Sequence, residues 1–204
     1  MTAHSSGIKV EPQSYASIEK SVRKVRAQLK MCPDEPIGGI KLFEKLDSLH
    51  VNNITLDYAV NELRTGVEAE TRYDCDDNRI LITLSPDTYN GLEAENPRDR
   101  FSLCHEIGHA FLHAHYLVKL AKFPESAAIF NRGQSNRHET FRDSEWQAEG
   151  FGAALLMPVE ALARIYAQRR SLEPIIVQEQ FGVSEAAAKA RIKVFNSKSN
   201  QLLN

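Results

Sequence analysis

The sequence predicts an α+β fold: a small, mostly antiparallel sheet packed on one long helix, with additional C-terminal helices. Three patterns predict it. Strand-like alternation is confined to residues 54–84, helical spacing of apolar residues flanks it on both sides, and the longest helical pattern, residues 98–120, follows the strands directly.

Taken in order, the first dozen residues are polar and are expected to be loose. Tyr15, Ile18, Val22, Val25 and Leu29 then recur at three- and four-residue spacing, which predicts an amphipathic helix with Lys20, Arg23, Lys24, Arg26 and Lys30 on its outer face. Pro33 and Pro36 break it. A second, shorter helical pattern runs through Ile40, Leu42, Phe43, Leu46 and Leu49. Val67, Ala69 and Thr71 alternate with Glu68, Glu70 and Arg72, and residues 79–84 form a compact apolar run. The polar cluster at 74–78 between them predicts a hairpin. Asn96 and Pro97 open the long helix, with Asp99 in its first turn, where an acid suits the helix dipole. Residues 131–138 read as loop, and helices are expected from about 140 to 156, over 159–169, and on both sides of Phe181-Gly182-Val183-Ser184. Ser184 suits an N-cap. Residues 196–204 are polar and are expected to fray. Three regions follow: residues 1–36 as tail and first helix, 37–170 as the main domain, and 171–204 as a helix-turn-helix-like segment packed on it.

Composition narrows the function. The chain has 204 residues, 25 Lys plus Arg against 27 Asp plus Glu, and a net charge of -2. Proteins that coat nucleic acid carry a basic excess, which is missing here. Three cysteines make no disulfide framework. The N-terminus has no apolar signal region, and no apolar run approaches the roughly 18–20 residues of a membrane span. A cytoplasmic protein with no membrane partner is expected.

The chemistry sits in a cluster of histidines. Of seven in the chain, four fall at His105, His109, His113 and His115. His105-Glu106-Ile107-Gly108-His109 reads H-E-x-x-H within a helical pattern. Residues i and i+4 lie about 40° apart around a helix, so His105 and His109 can aim ring nitrogens at one metal ion. Glu106 falls beside the ion, which suits a general base. Gly108 allows close approach on the far face. His115 is spaced as the third ligand of metzincins, but that pattern needs a chain-turning Gly where this sequence has Leu112. His113 is about 12 Å along the helix from His105 and is expected to be structural. The alternative third ligand is a carboxylate from the next helix, Glu145 or Glu149, since two His and one Glu form a catalytic zinc set. One of the two can bind metal while the other supports a ligating His. Cys104 points away and is expected to pack. Cys32-Pro33-Asp34 is a short, loose match to a thiolate switch that caps the metal in a latent protease, and such a switch is not expected.

HEIGHAFLH followed by E-x-x-A-x-x-F-x-A-x-L-L-M-P resembles the ImmA/IrrE family of metallo-endopeptidases. The likeness covers about residues 38–195. It implies a zincin-type active-site helix, with Glu145 as third metal ligand beside His105 and His109, and Glu106 as the catalytic residue. The family usually has Asn four residues after that ligand; here Glu149 stands there and becomes a second-shell candidate. The small residue after Phe151, commonly Ala, is Gly152. The resemblance further implies Zn²⁺ as cofactor, with Mn²⁺ as an alternative, and cleavage of a cI-like helix-turn-helix repressor in stress or mobile-element induction. The substrate is expected to add as a strand along residues 77–84. Tyr73, Tyr116 and His138 are the possible oxyanion stabilisers. The competing reading is a non-catalytic regulator that binds a repressor or DNA through its helices. Lys189, Arg191 and Lys193 are few for that purpose, so direct DNA binding is not expected.

Overall fold

The computed structural model describes residues 7–32, 35–123 and 139–203, and within them it is α+β, with a mixed four-stranded sheet and eight helices. Helix α1 (Tyr15–Gln28) opens on a capping box, with the hydroxyls of Ser14 and Ser17 each accepting the other's backbone N–H. It buries Ile18, Val22 and Val25. A short helix α2 (Gly39–Phe43) and a 3₁₀ turn lead into the sheet.

Strands β1 (His50–Val51) and β2 (Ile54–Val60) form a tight hairpin. Asn52 and Asn53 both take positive φ, 48° and 64°, as a two-residue type I′ turn requires. Strands β3 (Ala69–Asp74) and β4 (Arg79–Leu84) form the expected antiparallel hairpin, with Tyr73 opposite Ile80. The order is β1-β2-β4-β3, and β2 pairs with β4 in parallel. That pairing corrects the edge assignment. Residues 79–84 are an interior strand and β3 is the edge, because burying Ile80, Ile82 and Leu84 in the middle of the sheet satisfies the most apolar segment.

Helix α3 (Pro86–Glu93) turns the chain into α4 (Pro97–Lys122), which lies across β3. Asn96 caps α4 by accepting the Arg98 N–H at 2.9 Å. Helices α5 (Ser144–Leu156) and α6 (Val159–Arg169) follow, with Pro158 between them. Helix α7 (Pro174–Phe181) ends at Gly182 with φ 61°, and α8 (Glu185–Leu202) starts at the Ser184 cap. One buried cluster takes side chains from Ile18 to Leu202.

Three expectations change. Residues 7–13 are pinned rather than loose: Ser144 N–H donates to the Ile8 carbonyl at 3.1 Å, and Val10 N–H to the Arg142 carbonyl at 2.8 Å. Buried Val10 supplies the apolar anchor. At the other end the chain stays helical to Leu202, whose buried side chain and carbonyl, the latter accepting from Arg23 Nη2 at 2.7 Å, hold it on the body. Arg26 is buried rather than outward-facing. The loop expected at 131–138 lies outside the described residues. No single helix among the described residues is long and apolar enough to cross a membrane.

Candidate metal centre

Two helices crossing at close range bring the site together. Gly108 of α4 rests on α5: a Cβ there would stand 3.1 Å from Ala148 Cα, Ala148 O and Phe151 Cβ. Gly152 of α5 repays the contact, since a Cβ there would lie 3.2 Å from His105 N. This crossing sets the first turn of α5 against the middle of α4. Asp143 fixes where that turn begins, its carboxylate accepting the Glu145 and Trp146 N–H groups at 2.9 and 3.0 Å. Gly7 leans on the same turn, with room for no side chain beside Ser144 Oγ and the Glu145 stem.

His105, His109 and Glu145 converge. The two Nε2 atoms are 3.0 Å apart, and Glu145 oxygens lie 3.2 Å from His105 Nε2 and 3.5 Å from His109 Nε2. Among the described residues these three form the one His, Cys or acid group that could hold a metal ion. Their side chains are mostly buried for the imidazoles and part-buried for Glu145. Burial alone would raise the Glu145 carboxyl, but hydrogen bonds from both imidazoles hold it far below the usual carboxylate range. Burial pulls His105 down, yet the bonded Glu145 carboxylate and the charges of Glu106 and Glu149 outweigh it, so its pKa is raised.

Glu106 lies beside this group, not in it. Its carboxylate accepts the Thr71 hydroxyl at 2.6 Å, which ties it to edge strand β3. Thr71 was invisible as a site residue in the sequence; its alternation within β3 was the sole hint.

A second set of partners was also missed. Gln147 Nε2 donates to the Glu11 and Phe141 carbonyls, both at 2.8 Å. Its oxygen is left to accept, so His113 Nε2 donates to it at 3.0 Å. Burial, reinforced by the His109 ring, pushes the His113 pKa down to about 4, so this imidazole is neutral near pH 7. Its Nδ1 is therefore placed to accept from His109 Nδ1–H at 3.1 Å, the tautomer in which His109 Nε2 would offer its lone pair to a bound ion instead of donating to Glu145. His113, expected to be structural, bridges His109 and Gln147.

The other named residues sort plainly. Glu149 is exposed one turn beyond Glu145 and makes no hydrogen bond to His105 or His109 among the described residues. His115 is exposed against Tyr116, and α4 continues past Leu112 without the turn a third His would need. Cys104 is buried, which pushes its thiol up to about 12, and it packs as expected. Cys32 is exposed and belongs to no metal-holding group among the described residues. The Tyr73 hydroxyl donates to Asn78 within the hairpin at 2.6 Å, and that of Tyr116 accepts the Glu11 N–H at 3.1 Å. His138 lies outside the described residues. Arg191, one of the three tail cations, is buried in an ion pair with Glu19 at 2.5 Å.

An α+β fold with H-E-x-x-H on the helix crossing an edge strand, completed by an acid from the next helix, defines a metallopeptidase class of protein. Residues 57–193 match the family model of the IrrE N-terminal-like domain, Peptidase_M78. The match covers more than half of the chain, which belongs to this family. No curated protein matches it.

Proposed function

We propose that the chain is a zinc-dependent endopeptidase that cleaves a protein substrate in the cytoplasm. One observation carries the reading. The two imidazole Nε2 atoms stand 3.0 Å apart, and the Glu145 carboxylate faces both, with Oε2 3.2 Å from His105 Nε2 and Oε1 3.5 Å from His109 Nε2. Tetrahedral bonds of about 2.0–2.1 Å give edges of roughly 3.3–3.4 Å. Two imidazoles and one carboxylate suit Zn²⁺ better than Mn²⁺, which prefers a larger oxygen-rich shell. When bound, such an ion would polarise the scissile carbonyl and acidify the attacking water.

The protein supplies the rest. Glu106 takes the proton of the attacking water and passes it to the leaving amine. Thr71 keeps that carboxylate aimed by donating to one of its oxygens. The substrate lies extended beside β3, the edge strand next to α4, and adds to the sheet there. The ImmA/IrrE resemblance supports a cI-like helix-turn-helix repressor as that substrate.

The test is incubation of the purified protein with Zn²⁺ and such a repressor. Cleavage is expected, and Glu106→Gln should slow it by about 10²- to 10⁴-fold. Equal cleavage by the variant overturns the mechanism, and tight binding without cleavage favours the regulator instead. Bound zinc should be lost in Glu145→Ala and kept in Glu149→Ala; the reverse would exchange their assignments.

A further inference from the structure

Beside the metal centre lies a cavity of about 660 Å³ between α1, α4, α5 and α8. It begins one helical turn from the metal group on both helices. Phe101 and Ser102 precede His105 by four and three residues, and Glu149 follows Glu145 by four. Its walls are largely apolar, with Phe101, Trp146, Ala153, Ala187 and Val194 among them.

Three ionic side chains reach it: Arg98, Arg191 and Glu149. Two are already matched. Arg98 pairs with Glu68, and Arg191 pairs with Glu19 at 2.5 Å and donates to the Met157 carbonyl at 2.9 Å. Glu149 makes no ion pair or hydrogen bond among the described residues. The cavity therefore offers apolar and aromatic walls and one carboxylate with no ion pair or hydrogen bond to a described residue, its charge felt only through space by His105.

We propose that this cavity is a specificity pocket for an arginine side chain of the substrate, and that Glu149 is the residue that selects it. An arginine has the matching anatomy, an apolar stem that lies along greasy walls and a planar cation at its tip. The guanidinium stacks on an aromatic face such as Trp146 or Phe101 while it bonds the Glu149 carboxylate. Lysine, a compact and strongly hydrated cation, fits less well. A neutral aliphatic side chain leaves Glu149 without a partner, and an acidic one meets repulsion. The role of the pocket in specificity rests on the peptidase reading. Its chemistry does not, and so can be tested without turnover.

Trp146 is the only tryptophan in the chain and lines the pocket, so its fluorescence reports occupancy directly. The full-length protein carrying Glu106→Gln is titrated with N-acetyl-arginine amide and with its lysine, norleucine and glutamate counterparts. The arginine amide should give a saturable change and bind most tightly. Adding Glu149→Gln should weaken it by about 10- to 100-fold, the range expected for losing a hydrogen bond to a charged group, and leave norleucine nearly unchanged. Absence of saturable binding, equal affinity for arginine and norleucine, preference for glutamate, or unchanged arginine binding after Glu149→Gln would each overturn the proposal. Cleavage of the repressor by the wild-type protein tests the peptidase reading separately.

Discussion

Replacing His113 by Ala removes the acceptor that holds the proton on His109 Nδ1. The imidazole is then free to carry its proton on Nε2, where it blocks a metal bond, and its ring loses the brace that runs through Gln147 to the Glu11 and Phe141 carbonyls. Zinc affinity should fall about 10- to 100-fold in His113→Ala, measured by competition with a chelator. Affinity equal to wild type would mean that the tautomer is set elsewhere. The convergence of His105 and His109, with Glu106 beside them, was legible in five consecutive residues, because a helix turns a sequence spacing into a direction. Gln147 and Thr71 were not, since each acts on a residue 34 or 35 positions away through contacts that only the packing of α5 and β3 on α4 creates. Glu149, a candidate ligand or support on sequence spacing, lies one helical turn from Glu145 on the cavity wall, where its charge acts on His105 without a hydrogen bond to it.

At the scale of elements, the crossing of α4 and α5 places Glu145 against His105 and His109, and two glycines permit it. In an isolated helix Gly108→Ala would be favourable by about 1 kcal/mol. Here the added methyl meets backbone and Cβ atoms of α5 at 3.1 Å, so the helices must separate or strain. Such overpacking costs about 1–3 kcal/mol, which more than offsets the propensity gain over most of that range. The variant should melt a few degrees below wild type and bind zinc more weakly, because the first turn of α5 moves away from His105 and His109. Unchanged zinc affinity would show that Glu145 follows the shift. The sequence revealed α4, the β3–β4 hairpin and the last three helices, whose caps and periodicity are local. It misplaced the sheet edge, because the parallel pairing of β2 with β4 is a non-local choice. It likewise missed residues 7–13, whose partners at 141–144 are more than 125 positions away.

At the scale of the molecule, three buried arginines hold chain ends together. Arg26 donates to the carbonyls of Leu155, Cys32 and Glu35, Arg191 to Met157, and Arg100 to Ile37, Phe181 and Gly182. Several of these oxygens lie at the C-terminal ends of α5 and α7, where no intrahelical N–H is available. The charges counted on Arg26 and Arg191 are therefore internal fasteners, and sequence patterning places Arg26 on the outer face because a buried arginine breaks the apolar period just as an exposed one does. Arg100 offers the cleanest test. Arg100→Met keeps the apolar stem and orphans three carbonyls, each worth about 1–3 kcal/mol when left buried and unpaired. The Gly182 turn adds to the dependence, since it packs so closely on the guanidinium that a Cβ there would stand 2.4 Å from Nη1. A loss of at least about 3 kcal/mol lowers the melting temperature by roughly 6–12 °C in a chain of this size. Arg98→Met, two residues earlier and 78% exposed in its pair with Glu68, should change stability by no more than about 1 kcal/mol. Equal melting temperatures for the two variants would show that the Arg100 carbonyl contacts do not hold α2, α4 and α7 together.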